Sequence, residues 1–166
     1  MAVRGSSTGA GAGCCAPEAV DLDVLEGLPS FYVRSANYLL SRDLDARLDG
    51  LEVARGTGKI TTLLLIDSHP GIRPSTIAAA TLRDRPALTR TIAPMIAAGL
   101  IEQRRSEAEG RAVELYITPR GHEVAQQVRA IVKAQSDDFF APLSGEDRGH
   151  LLRILRQVYL NARTAA

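Results

Sequence analysis

Leu88, Ile92 and Met95 recur at i, i+4 and i+7, the spacing of one buried stripe along an α-helix. Winding that helix at about 100° per residue turns Pro86, Thr89, Arg90 and Ala93 to the opposite face, which meets solvent or a partner. Just ahead of it, residues 75 to 82 are rich in alanine with Ile77 as their buried position, and Pro74 stands where a first helical turn tolerates a missing N–H. Arg83-Asp84-Arg85-Pro86 separates the two helices, with Asp84 or Arg85 capping the second and Pro86 at or just after its first position. Gly99 is a C-terminal stop. Beyond it, Leu100 to Arg105 and the alternating Val113, Leu115 and Ile117 predict two strands joined by the polar tip Ser106 to Arg111.

Two short helices followed by a ribbon with a basic tip make a winged helix-turn-helix, placed at about residues 55–118. In that arrangement the second helix enters the DNA major groove while the hairpin reaches the backbone and minor groove. On the N-terminal side, Leu28, Phe31, Tyr32, Leu39, Leu40, Leu44 and Leu48 recur at helical spacing and predict a long helix to about Asp49. Ser35, Tyr38 and Arg42 share a face with Phe31, so this apolar helix carries a polar run. After a loop at 50–57, Thr57 or Gly58 caps a helix that buries Ile60, Leu63, Leu64 and Ile66 and stops at Asp67-Ser68-His69-Pro70-Gly71. Beyond the ribbon, Thr118 caps a helix with Pro119 at its first position and Val124, Val128, Ile131 and Val132 as its stripe. Phe139 to Pro142 ends it, and Ser144-Gly-Glu-Asp147 opens the last helix as a capping box. In that helix Leu151, Leu152, Ile154, Leu155, Val158 and Leu160 form a stripe too broad for one surface to cover.

Composition changes this picture little. The 166 residues carry 4% aromatics and no Trp, so the core is built from Leu, Ile, Val and Ala. The net charge of +1 does not itself suggest nucleic acid. Its distribution does: from Arg73 to Arg120 every basic residue is an arginine, the side chain suited to bidentate and groove contacts. Residues 1–20 are mostly Gly, Ala and Ser and predict a disordered tail, with 21–166 as a single domain. The tail does not read as a secretory signal, and no apolar run is long enough to span a bilayer. Cys14 and Cys15 read as incidental, a redox-sensing pair being the sharper alternative, since nothing basic beside them would lower a thiol pKa. No catalytic set, phosphate loop or metal-ligand spacing is found, His122 and His150 included, so neither enzyme, cofactor nor metal is expected.

The chain resembles the MarR family of bacterial transcriptional regulators. The residues that carry the resemblance are Leu88-Thr89-Arg90, the junction Gly99-Leu100-Ile101-Glu102, Arg104, the tip Glu109-Gly110-Arg111, and Leu115-x-Ile-Thr-x-x-Gly121. It departs from the family in Glu109 for the usual Asp, and in Pro94, which frees the Arg90 carbonyl and predicts a kink, not a break. It departs again in Thr81, where neighbouring Leu82 is expected to supply the apolar contact between the two helices. The resemblance implies a mainly α fold with a small β-ribbon, its dimerisation lobe formed by helices at about 22–49 and 119–163. It implies a cytoplasmic homodimeric repressor, bound to double-stranded DNA at an inverted-repeat operator and released by an aromatic or phenolic acid or its thioester. The DNA contacts would be Arg73, Ser75, Arg85, Pro86, Thr89, Arg90, Arg104 and Arg111; the effector contacts would be Phe31, Arg34, Ser35, Tyr38 and His69, the last serving equally well as a helix cap. The alternative is a winged helix that has left DNA and binds protein.

Overall fold

The computed structural model describes residues 20–106 and 112–165. The chain divides into two units, Met1–Ser35 and Ala36–Ala166. In the first, the Asp21 carboxylate accepts the Asp23 N–H at 2.8 Å and opens a 3-10 helix, Asp23–Gly27. Helix α1, Pro29–Arg47, follows, and its Phe31 and Tyr32 rings meet edge to face at 5.2 Å between centroids.

The second unit holds the core. Leu44 and Leu48 at the end of α1 join Ile60, Leu63 and Ile66 of α2 (Thr57–Ser68), Ile77 and Ala78 of α3 (Pro74–Thr81), and Leu88, Ile92 and Met95 of α4 (Arg85–Ala97). Strand β1 (Ile101–Arg105) pairs antiparallel with β2 (Val113–Ile117), Gln103 opposite Leu115, and Ile72 adds a bridge on the far side of Leu115. Val124, Ala125 and Val128 of α5 (Pro119–Phe139) close the core against α2. Helix α6, Gly145–Ala165, begins as the sequence predicts: the Ser144 hydroxyl accepts the Asp147 N–H at 3.0 Å and donates to the Asp147 carboxylate at 2.6 Å. Its Leu152, Ile154, Leu155, Val158 and Leu160 are all exposed.

Two local expectations are corrected. The cap of α2 is Gly56, with no side-chain hydrogen bond, and Thr57 is already the first helical residue. Leu82 does not fill the contact between α3 and α4: it takes a left-handed conformation (φ 52°) to end α3, which turns its side chain outward to 46% exposure. Ile77, Ala78, Leu88 and Ile92 make the apolar seam, and the Thr81 hydroxyl bonds back to the Ile77 carbonyl at 2.7 Å. Helix α4 continues through Pro94 to Ala97, unbroken as expected.

Candidate nucleic-acid interface

Helix α4 is placed by its cap and its roll. The Asp84 carboxylate accepts the Ala87 N–H at 2.6 Å, and of the two cap candidates Asp84 is the one used. Leu88, Ile92 and Met95, each no more than 4% exposed, fix which face turns inward. Pro86, Thr89, Arg90 and Ala93 consequently stand exposed on the other side. The Thr89 hydroxyl donates to the Arg85 carbonyl at 3.0 Å, which leaves its methyl group and oxygen lone pairs to the outside.

The start of α3 comes alongside the start of α4. Arg73 is the N-cap position of α3 and Ser75 lies exposed in its first turn. A cleft of about 330 Å³ is lined by Arg73, Pro74, Ser75, Arg85, Leu88 and Thr89, and closed by Ala112 and Val113 at the outer end of the ribbon. Four of the DNA-contact candidates thus border one cleft, with Pro86 and Arg90 on the exposed face beside it.

Arg104 is elsewhere. Side chains alternate along a strand, so Arg104 shares a face with Glu102, Glu114 and Tyr116 and stands opposite to the side on which Val113 meets the cleft. Its guanidinium pairs with Glu102 and lies 4.4 Å above the Tyr116 ring, so its charge is already engaged within the ribbon. Arg111, with Glu109 and Gly110, lies outside the described residues, as do Cys14 and Cys15.

Of the effector candidates, Phe31, Arg34 and Ser35 belong to the first unit, where Arg34 is exposed and Phe31 and Ser35 are half-buried. Tyr38 and His69 belong to the second, both exposed. The His69 ring lies 2.9 Å from the Ser68 hydroxyl and 3.2 Å from the Leu65 carbonyl, so it completes the end of α2. Among the described residues no group of three His, Cys, Asp or Glu side chains could hold a metal ion, and no helix is long and apolar enough to cross a membrane.

Three roles were not legible in the sequence. Arg120, one of the arginines between Arg73 and Arg120, donates to the Ala98 carbonyl at 2.9 Å and pairs with Glu52, a structural post. The Asp67 side chain is buried between His122 and Arg129. Glu114 gathers hydroxyls toward the outer end of the ribbon: hydrogen bonds from Ser106 and then Tyr116 hold its carboxyl below the ordinary carboxylate range, partial burial opposing and the Arg73 charge adding to the effect.

An exposed helical face bearing Arg and Thr, beside a cleft edged by two more arginines, can meet base edges and phosphates together. Comparison with known proteins points the same way. Residues 51–112 match the model of the MarR family. A curated protein of Thauera aromatica, named as a candidate transcriptional regulatory protein for the hcr operon, is 31% identical over 97 residues, 58% of each chain. The chain therefore spans little more than half the length of that relative. Among solved structures, the transcriptional repressor CouR, bound to a 23-mer DNA duplex, superposes with a TM-score of 0.77 at 21% identity, over 84% of this chain and 98% of that one. The PcaV regulator of Streptomyces coelicolor, in complex with its natural ligand, gives 0.70 at 22% identity, over 87% and 98%. At these identities the likeness is one of fold.

Proposed function

We propose, from the match of residues 51–112 to the MarR family model, that this chain is a homodimeric, sequence-specific DNA-binding transcriptional regulator. The observation that carries the reading is the outward face of α4, where Thr89 and Arg90 stand free of the core beside the cleft edged by Arg73, Ser75 and Arg85. Thr89 and Arg90 meet base edges or adjacent phosphates in the major groove, and Arg85 and Pro86 position the backbone. The broad exposed stripe of α6, together with Val33, Tyr38 and Leu39 left exposed on α1, supports pairing of two copies.

The regulator acts as a repressor released by a small aromatic or phenolic acid or its thioester. The polar run of α1 supports this, with Arg34 as partner for a carboxylate. An effector shifts DNA affinity only by its differential affinity for the two states, typically about 1–3 kcal/mol.

Pull-down of genomic fragments by the wild-type protein and by a Thr89→Ala/Arg90→Ala variant tests the reading. Wild-type protein should enrich fragments sharing an inverted repeat, its half-sites separated by about 10 bp, and the variant should not. Equal, sequence-independent recovery by both would remove the proposed function. Arg34→Ala should blunt release by an anionic effector while leaving unliganded DNA affinity nearly intact; undiminished release would take Arg34 out of the effector site.

A further inference from the structure

Glu114 occupies a position that simple electrostatics disfavours in a DNA-binding ribbon. It lies opposite Arg104 in the β1–β2 register, and the antiparallel bridge between Ile72 and Leu115 brings Arg73 to its other flank. A carboxylate there lowers the attraction of both arginines for phosphate. What it does instead is accept two hydroxyls, one from each strand, and face the charge of a third segment. Its Oε2 accepts the Tyr116 hydroxyl at 2.9 Å, its carboxylate takes the Ser106 hydroxyl, and its charge faces Arg73, the N-cap residue of α3.

Two of these partners stand at junctions. Ser106 is only 4% exposed and marks the end of β1, where its N–H closes the ribbon by donating to the Ala112 carbonyl at 2.9 Å. Arg73 and Ala112 both line the cleft beside α4. Gly71, with φ of 80°, makes room for the network: a Cβ there would lie 3.0 Å from the Tyr116 hydroxyl and 3.7 Å from Glu114 Oε2.

We propose that Glu114 is a positioning residue for DNA binding, holding the outer end of the ribbon and the start of α3 in one fixed relation to the exposed face of α4. The proposal rests on the DNA-binding reading above. It makes a prediction opposite in sign to that of charge alone. Removing an acid from between two arginines should tighten binding to any duplex; removing a positioning residue should weaken binding to the operator.

The test uses the full chain and fluorescence anisotropy on an operator duplex recovered by pull-down and on a random duplex, across a salt series. Glu114→Gln should bind the operator about tenfold more weakly, about 1.4 kcal/mol, while holding the random duplex as well as wild type or better. Ser106→Ala, which changes no charge, should reproduce the operator loss, and it carries the test if the first variant melts early. Glu114→Asp, keeping the carboxylate on an arm one methylene shorter, should recover part of the loss. Operator binding by Glu114→Gln and Ser106→Ala as tight as wild type overturns the positioning role alone. Wild-type protein that retains no duplex at all removes the DNA-binding reading instead, so the two failures are told apart.

Discussion

Asp67 Oδ1 lies 2.6 Å from His122 Nδ1, although 55 residues separate them. The other oxygen of the same carboxylate lies 2.6 Å from Arg129 Nη1, so one side chain near the end of α2, itself 3% exposed, holds two successive parts of α5. Burial pushes the Asp67 carboxyl up, but the hydrogen bonds from His122 and Arg129 outweigh it and hold the group below its ordinary value of 3.8.

Asp67→Ala should therefore destabilise the chain. Both partners are near half-exposed and can turn to water, which limits the cost to about 1–2 kcal/mol, a few degrees of melting temperature. A carboxyl lowered in the folded state contributes stability that is fully present above the unfolded value and is lost as pH falls through the folded one. Acid unfolding should thus show a steeper decline below pH 3.8 in wild type than in Asp67→Asn. Identical acid limbs in the two proteins would contradict the assignment.

Glycines offer a paired comparison. A Cβ on Gly121 would lie 1.9 Å from the Leu100 carbonyl oxygen, which is backbone and cannot swing aside. Gly121→Ala should cost about 3 kcal/mol or more, as overpacking at its upper end. Gly149, in α6, meets nothing within 4 Å. Gly149→Ala should raise stability by about 0.5–1 kcal/mol through helix propensity. Urea titration distinguishes the two, and equal midpoints would refute the steric account.

Assembly has its own readout. Light scattering at micromolar concentration should give twice 17.8 kDa. Leu155→Arg, at a site 42% exposed in the single chain, should lower that mass because an unpaired charge would have to be buried between copies. A wild-type monomer at every concentration would defeat the prediction.

Two arginines should fail differently on DNA. Arg90→Ala should cost roughly 1–3 kcal/mol and relax preference at one symmetric base position. Arg111→Ala should weaken all sequences alike and flatten the salt slope by about 0.9 for each phosphate that the variant no longer neutralises. If both variants lose sequence preference equally, the division between base reading and backbone clamping is wrong.

Local signals make much of this fold legible in the sequence. The Asp84 and Thr118 caps, the Ser144–Asp147 box, the Gly99 stop (φ 68°) and the Leu88-Ile92-Met95 stripe each depend on a few neighbouring residues, and each is found. Leu82 departs from expectation because its left-handed conformation follows from the reversal between α3 and α4, a demand of the path and not of the residue type. Arg104 counts among the arginines of the region, yet strand alternation turns it onto Tyr116. Asp67 and most of the Glu114 cluster have no local signal: His122, Arg129, Ser106 and Arg73 come from segments that only the folded chain brings together, Tyr116 alone being a near neighbour.

The Thr118 hydroxyl accepts the Gly121 N–H at 3.0 Å and donates to the Gly99 carbonyl at 2.7 Å, while Arg120 reaches the Ala98 carbonyl. The Ala98 and Gly99 carbonyls just past α4 and the Gly121 amide in the first turn of α5 are in this way closed by Thr118 and Arg120, with the Leu100 carbonyl pressed against Gly121 behind them. Such a joint has no slack. Side-chain hydrogen bonds tie the start of α5 to the end of α4, where a glycine-rich connection would leave the two ends untied.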